Sequence, residues 1–600
     1  MAMTDFIDHG VPAPVAELRE AVALQDANGK NVVVATSLDL GDRGWVLLTD
    51  LDTGESRQVW CPQSVPNSAP YGALLASNGL LYFGEGPGLL AFDPASLTWT
   101  NWGAPLPDQV YMSFVEAPNG VIYAGTCPGS HLISLEPATG KVTDLGRMDE
   151  HEQYLMHLAI DGSGWIYSGI GTARYNLVAY NPATRDRRQL VPEQERQIGT
   201  ANVYLGTDGQ VYGEAGAKSY RLSEGTATLI APGTAAPPAP VGGFYYGTIL
   251  NRLPDGREVT AYNMPDRWLD IRDPRTQQTK RLPIDYQSEG TYAVFVDDGP
   301  AGQVWGCTSH PSRPFRFDPA TGEMTRYPWA PAWKALATVG NSVVGCAYPG
   351  GILTIFDTTK PWKSEGNPQD LNPRQLAKYE PDVNSPYAVL AHPDGQHVLS
   401  AGLPGYGYQG GGIGIYDLAT GKSTLLTHEQ LVPHHSTVSM QALPNGDLVC
   451  GTTVRGGHGA ASAVGEAQLY VLDWSSKKVV FQTAPIAGAT EVHALQVRSD
   501  GLVYGLTTPS WLFAFDPRSR QVTYRYDLRA YGEPAWNAMT SGPDGTIYVL
   551  LTNAILKFKP PSQQVEKVAD PPKPISAGVA VQGDRLYLTI GSHLWSCRVE

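Results

Sequence analysis

Hydrophobic and polar positions alternate along short runs of this chain, and the runs come in groups of four. Between Ser436 and Ala489 the runs are VSMQAL, LVCGTT, QLYVLD and VVFQT. The first and third connections are tight Pro-Asn-Gly-Asp and Ser-Ser-Lys-Lys turns, whereas the middle connection is long and rich in glycine. Short alternating runs separated by turns are typical of antiparallel strands. The pattern therefore predicts a four-stranded antiparallel meander.

The same pattern recurs along the chain. Comparable segments begin at Ser113, His157, His493 and Asn537, each with Asp-Gly or Asn-Gly between its first two runs. These dipeptides favour tight hairpins because both residues tolerate positive φ. About thirteen repeats of roughly 40 to 50 residues follow one another, which is the period of propeller blades. We predict an all-β fold of tandem β-propellers with four-stranded antiparallel blades, about 13 to 14 in number, as two seven-bladed rings.

The repeats also predict the domain organisation. Residues 1–333 are assigned to an N-terminal β-propeller and residues 334–600 to a C-terminal one. Residues 357–386 depart from the repeat and are predicted to be an insertion, a linker or lid that is partly helical at LNPRQLAKYE. The last repeat has only three strands, and an open strand edge invites aggregation. We expect the segment around Phe6 to Leu18 to close the last blade with a fourth strand.

Composition and charge narrow the possible partners. The formal net charge is -15, which argues against nucleic acid and an anionic membrane surface as partners. The chain shows no signal peptide and no apolar run of about 20 residues, so a soluble cytoplasmic protein is expected, or a secreted or periplasmic one if its signal is missing from this sequence. The 6 cysteines are scattered without a CxxC pair and are predicted to be buried, reduced thiols.

Candidate functional residues collect in the long loops, which join the second and third strands of a repeat or successive repeats. Tight turns occupy the other face, so function is expected on the loop face. The predicted catalytic residues are His435, His458, His493, Arg455, Tyr406 and Tyr408. The predicted substrate-binding residues are His434, Gln409 and Glu466 in the C-terminal half and His157, Arg174 and Tyr175 in the N-terminal half.

Structural roles are open alternatives for several of these residues. His157 and His493 could instead hydrogen-bond neighbours inside a wet channel. Tyr406 and Tyr408 could pack their own loop. The adjacent His434 and His435 cannot point both rings the same way in extended backbone, so at most one is expected in a site. A divalent metal held by neighbouring histidines is a further alternative, although no local spacing supports it.

The FDPATG and YDLATG turns, together with the Asp-Gly or Asn-Gly hairpins, resemble the repeats of quinoprotein-like and virginiamycin-B-lyase-like propellers. That resemblance implies the fold and no chemistry. The chain is also similar, in fold and in its His, Tyr and Arg residues, to propeller-fold polysaccharide lyases. This second resemblance implies a carbohydrate-active lyase that cleaves a uronate-containing glycan by β-elimination at a channel mouth. The alternatives are a non-catalytic propeller that binds a protein or glycan partner, and a glycoside hydrolase, which needs two facing carboxylates.

The residues present suit β-elimination. The reaction needs a group that neutralises the uronate carboxylate, a base for the proton beside it, and an acid for the leaving oxygen. Arg455 is the candidate for neutralisation, a histidine among His435, His458 and His493 for the base, and Tyr406 or Tyr408 for the acid. A locally basic and aromatic mouth can bind an anionic oligo- or polysaccharide even on an acidic protein.

Overall fold

The computed structural model describes residues 6–63, 68–240, 243–245, 247–498, 501–560, 562 and 564–599. Two compact units are present. Residues up to Ala13 and from Thr291 onward form one unit, here called the C-terminal ring. Pro14–Gly290 form the other, here called the N-terminal unit. The regular structure of both is almost entirely β-strand, as the alternating pattern predicts.

The first strand of the described residues, β1, is Phe6–Asp8. The strands of the N-terminal unit are β2 Glu17–Gln25, β3 Asn31–Leu38, β4 Trp45–Asp50, β5 Ser56–Trp60, β6 Gly72–Leu75, β7 Leu81–Glu85, β8 Gly88–Asp93, β9 Thr98–Asn101, β10 Val110–Glu116, β11 Ile122–Cys127, β12 His131–Glu136, β13 Lys141–Arg147, β14 Tyr154–Ile160, β15 Ile166–Thr172, β16 Asn176–Tyr180, β17 Arg187–Gln189, β18 Gly199–Thr200, β19 Asn202–Leu205, β20 Val211–Ala215, β21 Lys218–Ser223, β22 Thr226–Ile230, β23 Gly243–Tyr245, β24 Ile249–Arg252, β25 Glu258–Asn263, β26 Trp268–Asp273 and β27 Gln278–Pro283.

The remaining strands of the C-terminal ring are β28 Ala293–Asp298, β29 Val304–Thr308, β30 Pro314–Asp318, β31 Glu323–Arg326, β32 Ala332–Val339, β33 Ser342–Tyr348, β34 Ile352–Asp357, β35 Arg374–Lys378, β36 Ser385–Ala391, β37 His397–Leu403, β38 Ile413–Asp417, β39 Ser423–Leu426, β40 Ser436–Ala442, β41 Leu448–Thr453, β42 Leu469–Asp473, β43 Lys478–Thr483, β44 Glu491–Val497, β45 Val503–Thr508, β46 Trp511–Asp516, β47 Gln521–Asp527, β48 Pro534–Ser541, β49 Ile547–Leu551, β50 Ala554–Phe558, β51 Glu566–Ala569, β52 Ala577–Gln582, β53 Arg585–Ile590 and β54 His593–Arg598. The helical segments of the described chain are single 3-10 turns at Glu193–Glu195, Pro300–Gly302, Pro368–Asp370, His428–Gln430 and Arg529–Tyr531.

In both units the strands pair as antiparallel meanders in chain order. The N-terminal unit contains the groups β2–β5, β6–β9, β10–β13, β14–β17 and β19–β22, and the three-stranded sheet β25–β27. Two further strands join existing sheets, because β24 runs parallel to β2 and β23 runs antiparallel to β6. Four-stranded meanders repeated in this way are the blades of a β-propeller.

The C-terminal ring is closed. Its groups are β28–β31, β32–β35, β36–β39, β40–β43, β44–β47, β48–β51 and β52–β54. The innermost strand of each group contacts that of the next, and β52 contacts β28. The last group takes its fourth strand from the N-terminus: β1 pairs antiparallel with β54, with Phe6 opposite Cys597 and Asp8 opposite Trp595.

Three details of the predicted organisation differ from the structure. The units divide between Gly290 and Thr291 rather than at residue 333, because β28 packs against β52 and β32. Repeats look alike in sequence, so counting them does not reveal which ring a blade joins. Residues 357–386 are not an insertion, since they contain β35, which pairs with β34 as the fourth strand of its group. The LNPRQLAKYE segment is extended rather than helical, and its half-exposed outer strand shows too little alternation to be recognised.

The repeated Asp-x-Ala-Thr-Gly turns have a direct physical cause. The Asp417 carboxylate accepts hydrogen bonds from the backbone N–H groups of Ala419 and Thr420, at 2.8 and 3.1 Å. Gly421 then adopts φ +71°, where a side chain would be strained. The turn therefore fixes the register of the third and fourth strands.

The innermost strands carry β-bulges at equivalent places. The pairing of β32 with β33 skips Lys334, that of β36 with β37 skips Tyr387, and that of β44 with β45 skips His493. A bulge re-aims the side chain of the extra residue. The inner strands surround a cavity of about 160 Å³, whose lining includes Tyr387, His493 and Asp297. The bulges thus place Lys334, Tyr387 and His493 at equivalent positions of their inner strands.

The cysteine side chains agree with the prediction from the sequence. All six cysteines are buried and free of disulfide bonds, as predicted. No helix among the described residues has the length and apolar character needed to cross a membrane.

Ring closure by β1 makes a testable prediction. Deleting residues 1–10 removes β1 and the contact of Phe6 with the buried core around Leu586 and Leu588. We expect a loss of at least about 3 kcal/mol in the free energy of unfolding, measured by urea denaturation, because a packed aromatic side chain is lost. A synthetic peptide of residues 1–13 should restore part of this stability, whereas a scrambled peptide should not. An unchanged unfolding midpoint would show that the strand is dispensable.

Candidate functional site

The buried carboxylate of Glu491 lies at one end of the innermost strands of the C-terminal ring and binds two basic side chains. Glu491, at the start of β44, has a side chain only 5% exposed. It forms an ion pair with Arg455, and its Oε1 lies 2.7 Å from Nδ1 of His493. Nε2 of His493 lies 2.8 Å from the carbonyl oxygen of Ala535. One carboxylate therefore holds two basic side chains from neighbouring parts of the ring.

Both ring nitrogens of His493 are engaged in hydrogen bonds. They face acceptors, the Glu491 carboxylate and the Ala535 carbonyl oxygen. Burial alone would raise the pKa of Glu491. The hydrogen bond from His493 and the charges of His493 and Arg455 outweigh burial and lower the pKa to about 2.

Arg455 extends the cluster to an aromatic pair. Its Nη2 donates to the hydroxyl of Tyr387 at 3.1 Å, and its side chain is 50% exposed. The rings of Tyr387 and Trp536 lie 4.3 Å apart between centroids, and Trp536 Nε1 donates to the carbonyl of Lys334. Burial raises the pKa of Tyr387, so its hydroxyl keeps its proton at neutral pH. The guanidinium is thus held from one side and open to solvent on the other.

Two loops complete this end of the ring. The backbone N–H of Gly407 donates to the carbonyl of His458 at 2.9 Å, and Gln409 Nε2 donates to the carbonyl of Ala461 at 2.9 Å. These bonds join the loop after β37 to the loop after β41. Tyr406 is 42% exposed and Tyr408 41% exposed on the same loop. Gln409 therefore ties the loops together, and the tyrosines offer aromatic surface.

Tyr406 contacts both His458 and a tyrosine of a neighbouring blade. Its hydroxyl lies 2.6 Å from that of Tyr348, at the end of β33. Its ring lies 5.1 Å from that of His458 in an edge-on arrangement. Burial and the positive charge of Arg455 lower the pKa of His458, so its imidazole is neutral at pH 7. The predicted residues Arg455, His458 and Tyr406 are thus brought together. We use the name mouth for the region formed by these three residues with Tyr387, Glu491 and Trp536.

Other predicted residues of the C-terminal half lie apart from the mouth contacts. His435 is 8% exposed, and its Nδ1 bonds Thr452 Oγ1 at 3.0 Å. Burial lowers its pKa. The exposed His434 has φ +65°, and its backbone N–H donates to His428 Nδ1. Glu466 accepts the backbone N–H of Gly488 at 2.7 Å. These contacts support structural roles for all three.

The predicted residues of the N-terminal unit are engaged locally. Arg174 forms an ion pair with Glu193 at 2.9 Å. Tyr175 is buried, and its hydroxyl donates to the carbonyl of Glu195 at 2.9 Å. His157 lies on β14, and burial lowers its pKa. The described contacts do not gather these three side chains into one cluster, and their binding role stays a prediction.

The described histidines do not converge on a common three-ligand position. Across the described ranges, no three His, Cys, Asp or Glu side chains converge as ligands of a metal ion. His435 points into its own blade, whereas His458 lies on a loop and His493 on an inner strand. The metal alternative is not supported by this arrangement.

Sequence reasoning missed Tyr387, Glu491, Trp536, Tyr348 and Lys334. Aligning the first strands of the repeats would have found some of them. Lys334 and Tyr387 occupy the same bulge position as His493, and Val438 and Val294 stand there in other blades. A position that is apolar in some repeats and basic or aromatic in others is a signal of a site.

Comparisons with known proteins add little to the geometry. No family model and no curated protein matches the chain. Among solved structures, the extracellular domain of the hybrid two-component system BT4673 from B. thetaiotaomicron is 12% identical, with a TM-score of 0.38, over 100% of this chain and 83% of that one. The β-propeller domain of Cps50 (Swd1) from Myceliophteria thermophila is 12% identical, with a TM-score of 0.40, over 51% of this chain and 97% of that one. The propeller assignment therefore rests on the strand pairings described above.

The Glu491 cluster makes stability depend on pH. Because the folded pKa of about 2 lies below the unfolded value of about 4.3, ionised Glu491 stabilises the fold above pH 4.3, and this stabilisation disappears as the pH falls towards 2. At pH 6 we expect the free energy of unfolding of the wild type to be about 3 kcal/mol larger than that of Glu491→Gln. This difference should become smaller as the pH is lowered. Urea denaturation across this pH range measures it.

The exposed Glu429 provides a matched control for this experiment. Glu429→Gln should leave the free energy of unfolding almost unchanged at every pH. A stability difference for Glu491→Gln that stays constant, or grows towards acid, would contradict the ion cluster.

Proposed function

We propose that the protein is a carbon-oxygen lyase that cleaves a uronate-containing glycan by β-elimination at the mouth of the C-terminal ring. The observation that carries this proposal is the convergence of a half-exposed guanidinium, a neutral imidazole and a phenol on joined loops, namely Arg455, His458 and Tyr406. Each group corresponds to one requirement of the reaction.

Arg455 would bind the substrate carboxylate. Glu491 and Tyr387 hold the guanidinium from one side, and half of the side chain remains accessible. Pairing with a guanidinium withdraws charge from the carboxylate and makes the adjacent C–H proton more acidic. A fixed guanidinium performs this role better than a mobile one because its orientation does not have to be established during the reaction.

His458 and Tyr406 would transfer the protons. The neutral imidazole of His458 takes the proton beside the carboxylate, and the electron pair of that C–H bond forms the carbon-carbon double bond. The bond to the glycosidic oxygen breaks, and the Tyr406 hydroxyl donates a proton to that oxygen. His493 is less suited as the base because both its ring nitrogens are hydrogen-bonded to acceptors. Tyr408 would contribute exposed aromatic surface for stacking against a sugar.

A non-catalytic glycan-binding propeller is the second candidate. The exposed rings of Tyr406 and Tyr408 favour it, since aromatic rings that combine an apolar face with a hydroxyl are frequent at binding surfaces. A glycoside hydrolase has less support. Glu491 is committed to Arg455 and His493, and the described contacts pair no second carboxylate with it.

The lyase proposal is tested by variants of the three mouth residues. His458→Ala and Arg455→Met should each lower kcat/KM at least about 100-fold on a uronate polysaccharide, and Tyr406→Phe should also lower it. The assay is the ultraviolet absorbance of the unsaturated uronate product. The wild-type rate should rise with pH as His458 loses its proton, with a midpoint below that of an ordinary histidine because its pKa is lowered.

His397 provides the matched control, because it bonds Asp394 in the tight turn between β36 and β37, at the other end of those strands from the mouth loops. His397→Ala should retain wild-type kcat/KM. If His458→Ala and Arg455→Met both fold and both keep wild-type activity, the assignment is overturned. Binding of the glycans without any cleavage by wild type would favour the second candidate.

A further inference from the structure

Lys334 is a basic residue next to the mouth, since its backbone carbonyl accepts a hydrogen bond from Trp536, and the proposed reaction does not use it. It occupies the β-bulge of β32, the position that Tyr387 has in β36 and His493 in β44. Its Nζ lies 3.3 Å from the hydroxyl oxygen of Ser309 and 5.8 Å from the ring centroid of Tyr348. The bulge thus places an ammonium group beside the tyrosine that bonds Tyr406.

The charge of Lys334 lacks a compensating anion. Among the residues that the structure describes, no carboxylate lies within ion-pair distance of its Nζ. Arg455 differs, because Glu491 neutralises it. Burial lowers the pKa of Lys334, which reflects the cost of keeping an ammonium partly out of water. An anionic group from outside the chain would remove this cost.

Lys334 and Arg455 are linked through an aromatic pair. Trp536 Nε1 donates to the carbonyl of Lys334 at 3.3 Å, and Trp536 packs against Tyr387. Tyr387 in turn accepts the hydrogen bond from Arg455. A chain of contacts through two aromatic side chains therefore links Lys334 to Arg455, and aromatic rings can contact a sugar face.

We propose that Lys334 binds a second carboxylate of the same glycan, so that the substrate is a polyuronate with acidic groups on more than one sugar. This inference rests on the proposed function in taking Arg455 as the site of the first carboxylate. The ammonium group of Lys334 supplies the site for the second carboxylate. A glycan with a single uronate would satisfy Arg455 and leave Lys334 without a counter-ion.

Equilibrium binding tests this inference without depending on cleavage. Calorimetry would compare an oligouronate with the same oligomer reduced to a single carboxylate, using the His458→Ala protein so that neither ligand is consumed. Lys334→Met should weaken binding of the oligouronate at least about tenfold and leave binding of the single-carboxylate oligomer unchanged. Lys334→Arg should retain most of the affinity for the oligouronate. Arg455→Met should weaken binding of both ligands.

Lys378→Met is the matched control, since Lys378 lies on the outer strand β35 and pairs with Glu380. It should bind both oligomers as the parent does. Equal weakening of both ligands by Lys334→Met, or no weakening of either, would overturn the inference. The lyase proposal fails separately, if wild type releases no unsaturated product while the binding pattern holds.

A second measurement covers the case in which Lys334→Met does not fold. Acylation of Lys334 can be followed by peptide mass spectrometry. The protein is either the unsubstituted chain, kept cold so that turnover is slow, or the His458→Ala variant, so that the oligomer is not consumed. The oligouronate should slow acylation of Lys334, whereas the single-carboxylate oligomer should not. Equal rates with both oligomers would contradict the proposal.

Discussion

Closure of the C-terminal ring is the constraint on which the mouth depends. Each innermost strand contacts the next, and the contact of β52 with β28 completes the circle. The last blade is whole only because β1 pairs with β54. An open ring would leave the ends of the inner strands free to separate, and the loops that carry Tyr406 and His458 would lose their common frame. Precise placement of side chains therefore follows from pairing between the two ends of the chain.

The bulges and the buried Glu491 then convert a repeated scaffold into a specific site. A regular inner strand alternates its side chains between two faces, whereas a bulge redirects one residue. Lys334, Tyr387 and His493 owe their similar positions to this irregularity. Glu491 compensates Arg455 and His493, and removal of a partner from such a buried group is costly. The same charge arrangement leaves Lys334 without a carboxylate partner among the described residues, and the proposed second carboxylate site rests on this feature.

The sequence was sufficient to predict the propeller fold and some of the residues that meet in the candidate site. Asp-Gly hairpins and Asp-x-Ala-Thr-Gly turns determine strand order through local hydrogen bonds, so the blades could be predicted from short patterns. The three-stranded last repeat also directed attention to the N-terminus, where β1 lies. Membership of a ring depends instead on contacts between distant repeats, such as β28 with β52, and no local pattern encodes it. The half-exposed β35 was missed because an outer strand alternates weakly.

The site was harder to predict because it depends on orientation. Arg455, His458 and Tyr406 were found as basic and aromatic residues of long loops. His435 has the same chemical type but turns inward to Thr452, and nothing in its local sequence distinguishes it from His434. Glu491 and Tyr387 stand in strands, where polar and aromatic residues are ordinary. Their importance appears only through their contacts with Arg455.

Mass spectrometry of the products from a defined oligouronate tests the central claim most directly. Elimination adds no atoms, so the masses of the two fragments should sum to the mass of the substrate. The double bond should lie at the new non-reducing end, in the fragment from the reducing side of the cleaved bond. This is the result that the arrangement of Arg455, His458 and Tyr406 predicts. Fragments whose masses sum to substrate plus one water would show hydrolysis and contradict the account.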